Sequence, residues 1–185
     1  NKLPEYIELI DKPIINAGDG SNEHPTQALI DFYTIKENFK NLNNLTITII
    51  GDLRYSRTVH SLVKLISKYN NTVKINYISP RSLSIPTNIK TNIRNKQYEF
   101  YNMKDINSII ASSDVLYLTR IQKERHKELL DIDEFISNYV IDEHIINYSK
   151  YSLIIMHPLP RNNELSKNLD KNYKSKYFDQ MKNGL

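Results

Sequence analysis

A histidine and a glutamine stand three residues apart in Gly18-Asp19-Gly20-Ser21-Asn22-Glu23-His24-Pro25-Thr26-Gln27, where a glycine-loosened loop runs into a helical pattern. Pro25 suits the first helical position, because the N–H it lacks is one that a helix start leaves unpaired in any case. His24 is therefore expected as N-cap and Gln27 on the first turn, both side chains facing one mouth. An imidazole can donate to a carbonyl oxygen that gains negative charge, and a side-chain amide can accept from an NH2 group beside it. That pairing fits a carbamoyl group.

Three further polar words each follow an apolar run of strand length: GDLRYSR at 51–57, TRIQKER at 119–125 and HPLPR at 157–161. In a parallel sheet, ligands bind just beyond the carboxyl ends of the strands. Arg54, Arg57, Arg120, Arg125 and Arg161 are thus expected toward one edge. Guanidinium forks pair with carboxylates or phosphates in two-point geometry, so the expected ligand is a compact anion with several oxygens. Any one of these arginines is explained as well by a solvated surface charge. The coincidence of three loops argues for a site.

The elements that must position these words alternate in type. Strands are expected at 13–16, 45–50, 73–79, 98–101, 115–118 and 153–156. Helices are expected at 25–38, with Leu29, Phe32 and Tyr33 on one side, at 57–69, burying Val59, Leu62, Val63 and Ile66, and at 87–94 and 103–112. Apolar strands alternating with helices give a doubly wound, three-layer α/β/α domain with a mostly parallel sheet, beginning near residue 40.

Composition narrows the function classes. The 185 residues suffice for one good core, or for one domain with pieces of a second. There is no cysteine, which removes disulfides and thiolate metal sites and makes a reducing, cytoplasmic setting the expectation. No apolar run has the length of a membrane span, and the first residues resemble neither a signal nor a transit peptide. The net charge of +4 is scattered among asparagines instead of forming a basic stripe, which argues against nucleic acid.

Cofactor chemistry finds little support. The turn Gly51-Asp52-Leu53-Arg54 lacks the G-x-G-x-x-G glycines of a dinucleotide site, and neither a phosphate-cradling G-x-x-x-x-G-K-[ST] loop nor a G-x-S-x-G elbow occurs. The histidines at 24, 60, 126, 144 and 157 show no metal-ligand spacing. No metal and no cofactor are expected.

GDGSNEHPTQALIDF, GDLRYSRTVHSL, YLTRIQKER and MHPLPRNNEL, in this order and spacing, resemble the aspartate carbamoyltransferases over about residues 13–165. The resemblance implies transfer of the carbamoyl group of carbamoyl phosphate to the amino group of L-aspartate, giving N-carbamoyl-L-aspartate and phosphate in pyrimidine synthesis. Carbamoyl phosphate is already an activated donor, so alignment and charge stabilisation suffice without a cofactor.

Carried over position by position, the resemblance implies that His24 bonds the carbonyl oxygen. Gln27 takes the NH2, with the backbone carbonyls of Pro158 and Leu159. Arg57 and Arg120 bind the aspartate carboxylates, Gln122 completes the set, and Glu124 orients Arg120. Leu159-Pro160 is a cis bond in relatives, Lys123 and Arg125 lie in a closing loop, and His157 is structural. Residues 1–23 are expected as the tail of a carbamoyl phosphate domain, 24–40 as a linking helix, and 41–185 as the aspartate-binding domain without its last helix. The resemblance further implies a homotrimer with no nucleic-acid or membrane partner. The 185-residue polypeptide by itself is expected to lack significant turnover, since the family's phosphate loop, a lysine lent by a neighbouring subunit and a further arginine would precede residue 1. Ornithine carbamoyltransferase is the nearest alternative, although it typically carries a cysteine in the HPLP loop. A non-catalytic assembly or regulatory module of the same fold is the other.

Overall fold

The computed structural model describes residues 7, 10–121 and 130–185. Its strands are β1 (Thr46–Ile50), β2 (Lys74–Ile78), β3 (Lys96–Phe100), β4 (Val115–Leu118) and β5 (Ile154–Met156), and its helices are α1 (Pro25–Asn38), α2 (Arg57–Tyr69), α3 (Thr87–Lys90), α4 (Ile106–Ser112), α5 (Leu130–Asn138), α6 (Glu143–Ile146) and α7 (Tyr177–Lys182). The strands form one sheet in the order β3-β2-β1-β4-β5, with every pairing parallel. From β1 the chain winds outward in one direction to β2 and β3, then crosses to β4 and β5 on the other side. A crevice for ligand opens at that reversal.

Because strand side chains alternate between faces, the sheet carries two cores. Ile47, Ile49, Ile75, Tyr77, Val115, Tyr117 and Met156 pack beneath Ile35 of α1 and Val59, Leu62, Val63 and Ile66 of α2. Ile50, Ile78, Leu116, Leu118 and Ile155 pack against Ile109 and Ile110 of α4 and Ile132 and Phe135 of α5. Each fully buried Ile or Leu contributes about 1.5–3 kcal/mol, so the central strands hold the frame from which the loops project.

The expected helices at 25–38 and 57–69 and the strand at 115–118 form with those bounds. Residues 13–16 form no strand. Pro13 supplies no ladder N–H, and Ile15 is 80% exposed and unpaired in the sheet. The helix expected at 87–94 ends at Lys90, since Asn92 turns its side chain back to the Asn88 carbonyl and Ile93 N–H closes a turn onto Lys90. The 103–112 helix begins only at Ile106, after a turn in which Ile106 N–H donates to Met103. In α1 the buried face is Ala28, Asp31, Thr34 and Ile35, whereas Leu29 and Tyr33 are more than half exposed.

At the reversal the backbones approach closely. Gly51, at φ +125°, lies where an added Cβ would stand 2.1 Å from the Thr119 carbonyl oxygen. Gly51→Ala combines this clash with a disfavoured backbone, and it is expected to destabilise by about 3 kcal/mol or more. Gly20, at φ +61° with nothing within 4 Å of such a Cβ, is the control and should lose about 1 kcal/mol when changed to Ala. Equal losses in urea titrations of the two variants would contradict the close approach.

Candidate active site

A cavity of about 360 Å³ opens over the carboxyl ends of β1, β4 and β5, with the first turns of α1 and α2 completing its wall. His24, Gln27, Arg57, Arg120, Pro158, Leu159 and Pro160, all expected from sequence, line it together with Asp52, Tyr55, Ser56, Thr58 and Thr119. A larger cleft of about 520 Å³ lies beyond β2 and β3, near Arg81, Tyr101 and Phe135, and holds none of those expected residues. The smaller cavity has the chemistry.

His24 caps α1 as its position requires: its backbone N–H donates to Ser61 Oγ at 2.9 Å, and its Nδ1 accepts from Gln27 N–H at 3.3 Å. A backbone N–H can only donate, so Nδ1 is an acceptor and Nε2 carries the ring proton. Partial burial and then the charge of Arg57 lower the His24 pKa, favouring this neutral form. The ring thus offers one N–H donor. Gln27 turns its Nε2 toward Asp31 Oδ1 at 2.7 Å, which leaves its amide oxygen as the end for a ligand.

Arg57 is the first residue of α2, where the helix macrodipole disfavours a cation and favours an anion beside it. Its guanidinium lies against Gly18, at φ +117°; a Cβ there would come within 2.8 Å of Arg57 Cζ. Glycine makes room for the fork. Arg120 follows β4, is half-buried and lines the same cavity.

The third wall is the 157–161 loop. His157 is buried, its Nδ1 accepting from Leu159 N–H at 2.8 Å and its Nε2 lying 3.0 Å from Glu164 Oε1. Burial pushes the Glu164 carboxyl up, but hydrogen bonds from His157 and from backbone N–H groups outweigh it and hold it below the usual range. The His157 ring, which borders the cavity, is thereby held at both nitrogens. The Leu159–Pro160 bond is cis, and Leu159 is in the left-handed region at φ 52°.

Two of the expected arginines do not reach the cavity. Arg161 gives both guanidinium arms to Asp170 and one also to Tyr177 OH, an intramolecular carboxylate taking the place of a ligand. Arg54 is exposed, donates to the Ser82 carbonyl and lies over the Tyr55 ring. Gln122, Lys123, Glu124 and Arg125 lie outside the described residues. Among the described residues no group of three or more His, Cys, Asp or Glu is arranged to hold a metal, and no helix is long and apolar enough to cross a membrane.

The family model for the Asp/Orn binding domain of aspartate/ornithine carbamoyltransferase matches residues 43–185, and that for its carbamoyl-P binding domain matches residues 1–37. The chain belongs to the aspartate/ornithine carbamoyltransferase family. Among its relatives, the aspartate carbamoyltransferase catalytic subunit of Picrophilus torridus is 50% identical over 94% of this chain and 56% of that protein. The multifunctional protein pyr1-3 of Dictyostelium discoideum is 48% identical over 97% of this chain and 8% of its own length.

Of solved structures, aspartate transcarbamoylase from Trypanosoma cruzi in complex with N-(phosphonacetyl)-L-aspartic acid superposes with a TM-score of 0.91 at 35% identity, covering 98% of this chain and 59% of that one. The complex of the same enzyme with carbamoyl phosphate and aspartate gives 0.90 at 34% identity, covering 98% and 58%. The carbamoyltransferase α/β fold is therefore shared. This chain spans little more than half the length of the single-function relative and of these structures.

Sequence reasoning missed Asp31, Thr58, Thr119 and Gln180. Only Asp31 carried a signal, a Gln–Asp pair at i, i+4 on α1, where such side chains meet.

Proposed function

We propose that this chain supplies the aspartate-binding portion of an aspartate carbamoyltransferase, which makes N-carbamoyl-L-aspartate and phosphate for pyrimidine synthesis. The observation that carries the reading is one cavity in which Arg57 and Arg120 stand with the His24–Gln27 pair and the cis-proline loop. Two cations can hold the two carboxylates of aspartate while its amine approaches the carbamoyl carbon. The amine adds to the carbamoyl carbon, forming the C–N bond and a tetrahedral intermediate, and its collapse breaks the C–O bond, phosphate leaving with that electron pair and taking up the proton that the amine sheds.

His24 Nε2–H meets the oxygen on which charge develops in the tetrahedral intermediate. The Gln27 amide oxygen and the carbonyls of Pro158 and Leu159 accept from the carbamoyl NH2. Gln122 and Glu124 are assigned to aspartate binding and to orienting Arg120 by resemblance. We assign residues 1–23 to the carbamoyl phosphate domain, 24–40 to the linking helix and 41–185 to the aspartate domain. A cytoplasmic homotrimer, with carbamoyl phosphate and L-aspartate as substrates, completes the reading.

The ornithine alternative has to place a cationic side chain between two guanidinium groups, which like-charge repulsion opposes. Arg120→Ala in the full-length protein is expected to raise the KM for aspartate about 100-fold at saturating carbamoyl phosphate, as loss of a charge-assisted bond predicts. An unchanged aspartate KM would remove Arg120 from the site.

A further inference from the structure

Behind the cavity wall, α1 buries a carboxylate that the reaction does not touch. Asp31 has no exposed surface, and it is held by three uncharged donors from three elements. Gln27 Nε2 and Gln180 Nε2 donate to its Oδ1 at 2.7 Å and 2.6 Å, and Tyr117 OH donates to Oδ2 at 2.7 Å. Burial raises this carboxyl and the same three donors oppose the rise, the balance lying at about 6. Three donors placed on its two oxygens are the company of the ionised form.

An ionised carboxylate only accepts, so both glutamines must turn their NH2 groups to it and their oxygens away. Gln180 verifies this independently, because its Oε1 accepts from His157 N–H at 2.9 Å, and a backbone N–H cannot meet an amide nitrogen in that way. With one amide fixed at both ends, the other is fixed by the oxygen the two share. Gln27 Oε1 then faces the ligand. Gln180 meanwhile ties the backbone at His157 to the same carboxylate, one residue before the Pro158 and Leu159 carbonyls.

We propose that Asp31 is a positioning residue that sets the hydrogen-bond polarity of the carbamoyl subsite, holding Gln27 as an acceptor and, through Gln180, anchoring the 157–159 backbone whose carbonyls accept from the same NH2. The inference rests on the reading that this cavity takes a carbamoyl group. It makes Asp31 the determinant of selectivity for NH2 over a methyl group of equal size at that position. Leucine at 31 is of similar size but accepts no hydrogen bond, so it would release the Gln27 amide to rotate and put its donors into the site.

The test uses the full-length protein and the ratio of its affinities for carbamoyl phosphate and acetyl phosphate, which differ only by NH2 against CH3, with inorganic phosphate as reference. Asp31→Leu is expected to lower that ratio about 10-fold while phosphate affinity stays within about 3-fold. General damage to the site would move all three ligands together. Asp31→Ser, whose short side chain also releases the amide, is read in its place if the leucine variant does not fold, and the same fall is expected. The double variant Asp31→Leu/Gln27→Glu conserves the pair's charge and points an oxygen at the ligand in either orientation, so it should recover the ratio. The proposal is overturned by a folded Asp31→Leu or Asp31→Ser protein with the wild-type ratio, or by a double variant that does not recover it. Wild-type protein unable to form carbamoyl aspartate would instead overturn the functional reading.

Discussion

Replacing His24 by alanine in the full-length protein is expected to lower kcat for carbamoyl aspartate formation by about 100-fold to 1,000-fold, with the KM for aspartate changed by less than about threefold. The size follows from removing one pre-aimed donor to a developing oxyanion, and the split follows because that donor matters most in the transition state. Since His24 also caps α1, alanine alone confounds chemistry with helix stability. His24→Asn separates them, because asparagine is among the best N-caps but does not reproduce the Nε2–H donor. A His24→Asn protein with wild-type kcat would show that the cap, and not the donor, was the role.

The same geometry gives a pH dependence with a definite sign. The folded-state pKa of His24 lies below its ordinary value, by burial first and the Arg57 charge second. The folded protein therefore binds fewer protons here than the unfolded chain, and the group's contribution to stability is present above the ordinary imidazole pKa and lost as pH falls through the folded value. Protonation would also set an Nδ1–H against Gln27 N–H, two donors face to face. The acid limb of kcat/KM assigned to this ring is expected below the pH at which a free imidazole titrates.

Arg57→Ala is expected to reduce kcat/KM for aspartate by about 100-fold or more, since it removes a guanidinium fork from a carboxylate in a partly desolvated site. Arg57→Lys should recover little, because an ammonium keeps the charge but not the two-point geometry. The position of Arg57 supports a binding role over a stabilising one. At the first residue of α2 a cation opposes the macrodipole, and Gly18 accepts a left-handed backbone with the guanidinium lying against it. If the alanine variant were more stable than wild type yet equally active, the residue would be a surface charge. Greater stability with lost affinity is the expected combination.

Much of this arrangement was legible because local chemistry and global fold agree. α2 announced itself through Val59, Leu62, Val63 and Ile66 at helical spacing, and β4 through an unbroken apolar run, so the loops beginning at Gly51 and Thr119 fell at strand ends without further information. Pro25 fixed the start of α1 and so the joint orientation of His24 and Gln27. What was not legible depends on contacts distant in sequence. Nothing near Arg161 distinguishes an arginine that reaches the cavity from one clamped by Asp170 and Tyr177. Asp31 looks like a solvent-facing charge on α1 until Tyr117 from β4 and Gln180 from α7 close around it, and Leu29 and Tyr33 look like core until those same contacts turn them outward. Residues 13–16 read as a strand by composition, but a strand needs a neighbour, and the sheet edge lies elsewhere.

The measurement that tests the central claim most directly is the initial rate of product formation by the full-length protein with carbamoyl phosphate and either L-aspartate or L-ornithine. The account predicts carbamoyl aspartate with equimolar phosphate, and citrulline at a rate lower by about three orders of magnitude or more, since an ammonium cannot stand where two guanidinium groups expect carboxylates. Comparable or faster citrulline formation, or no product with aspartate, would contradict it.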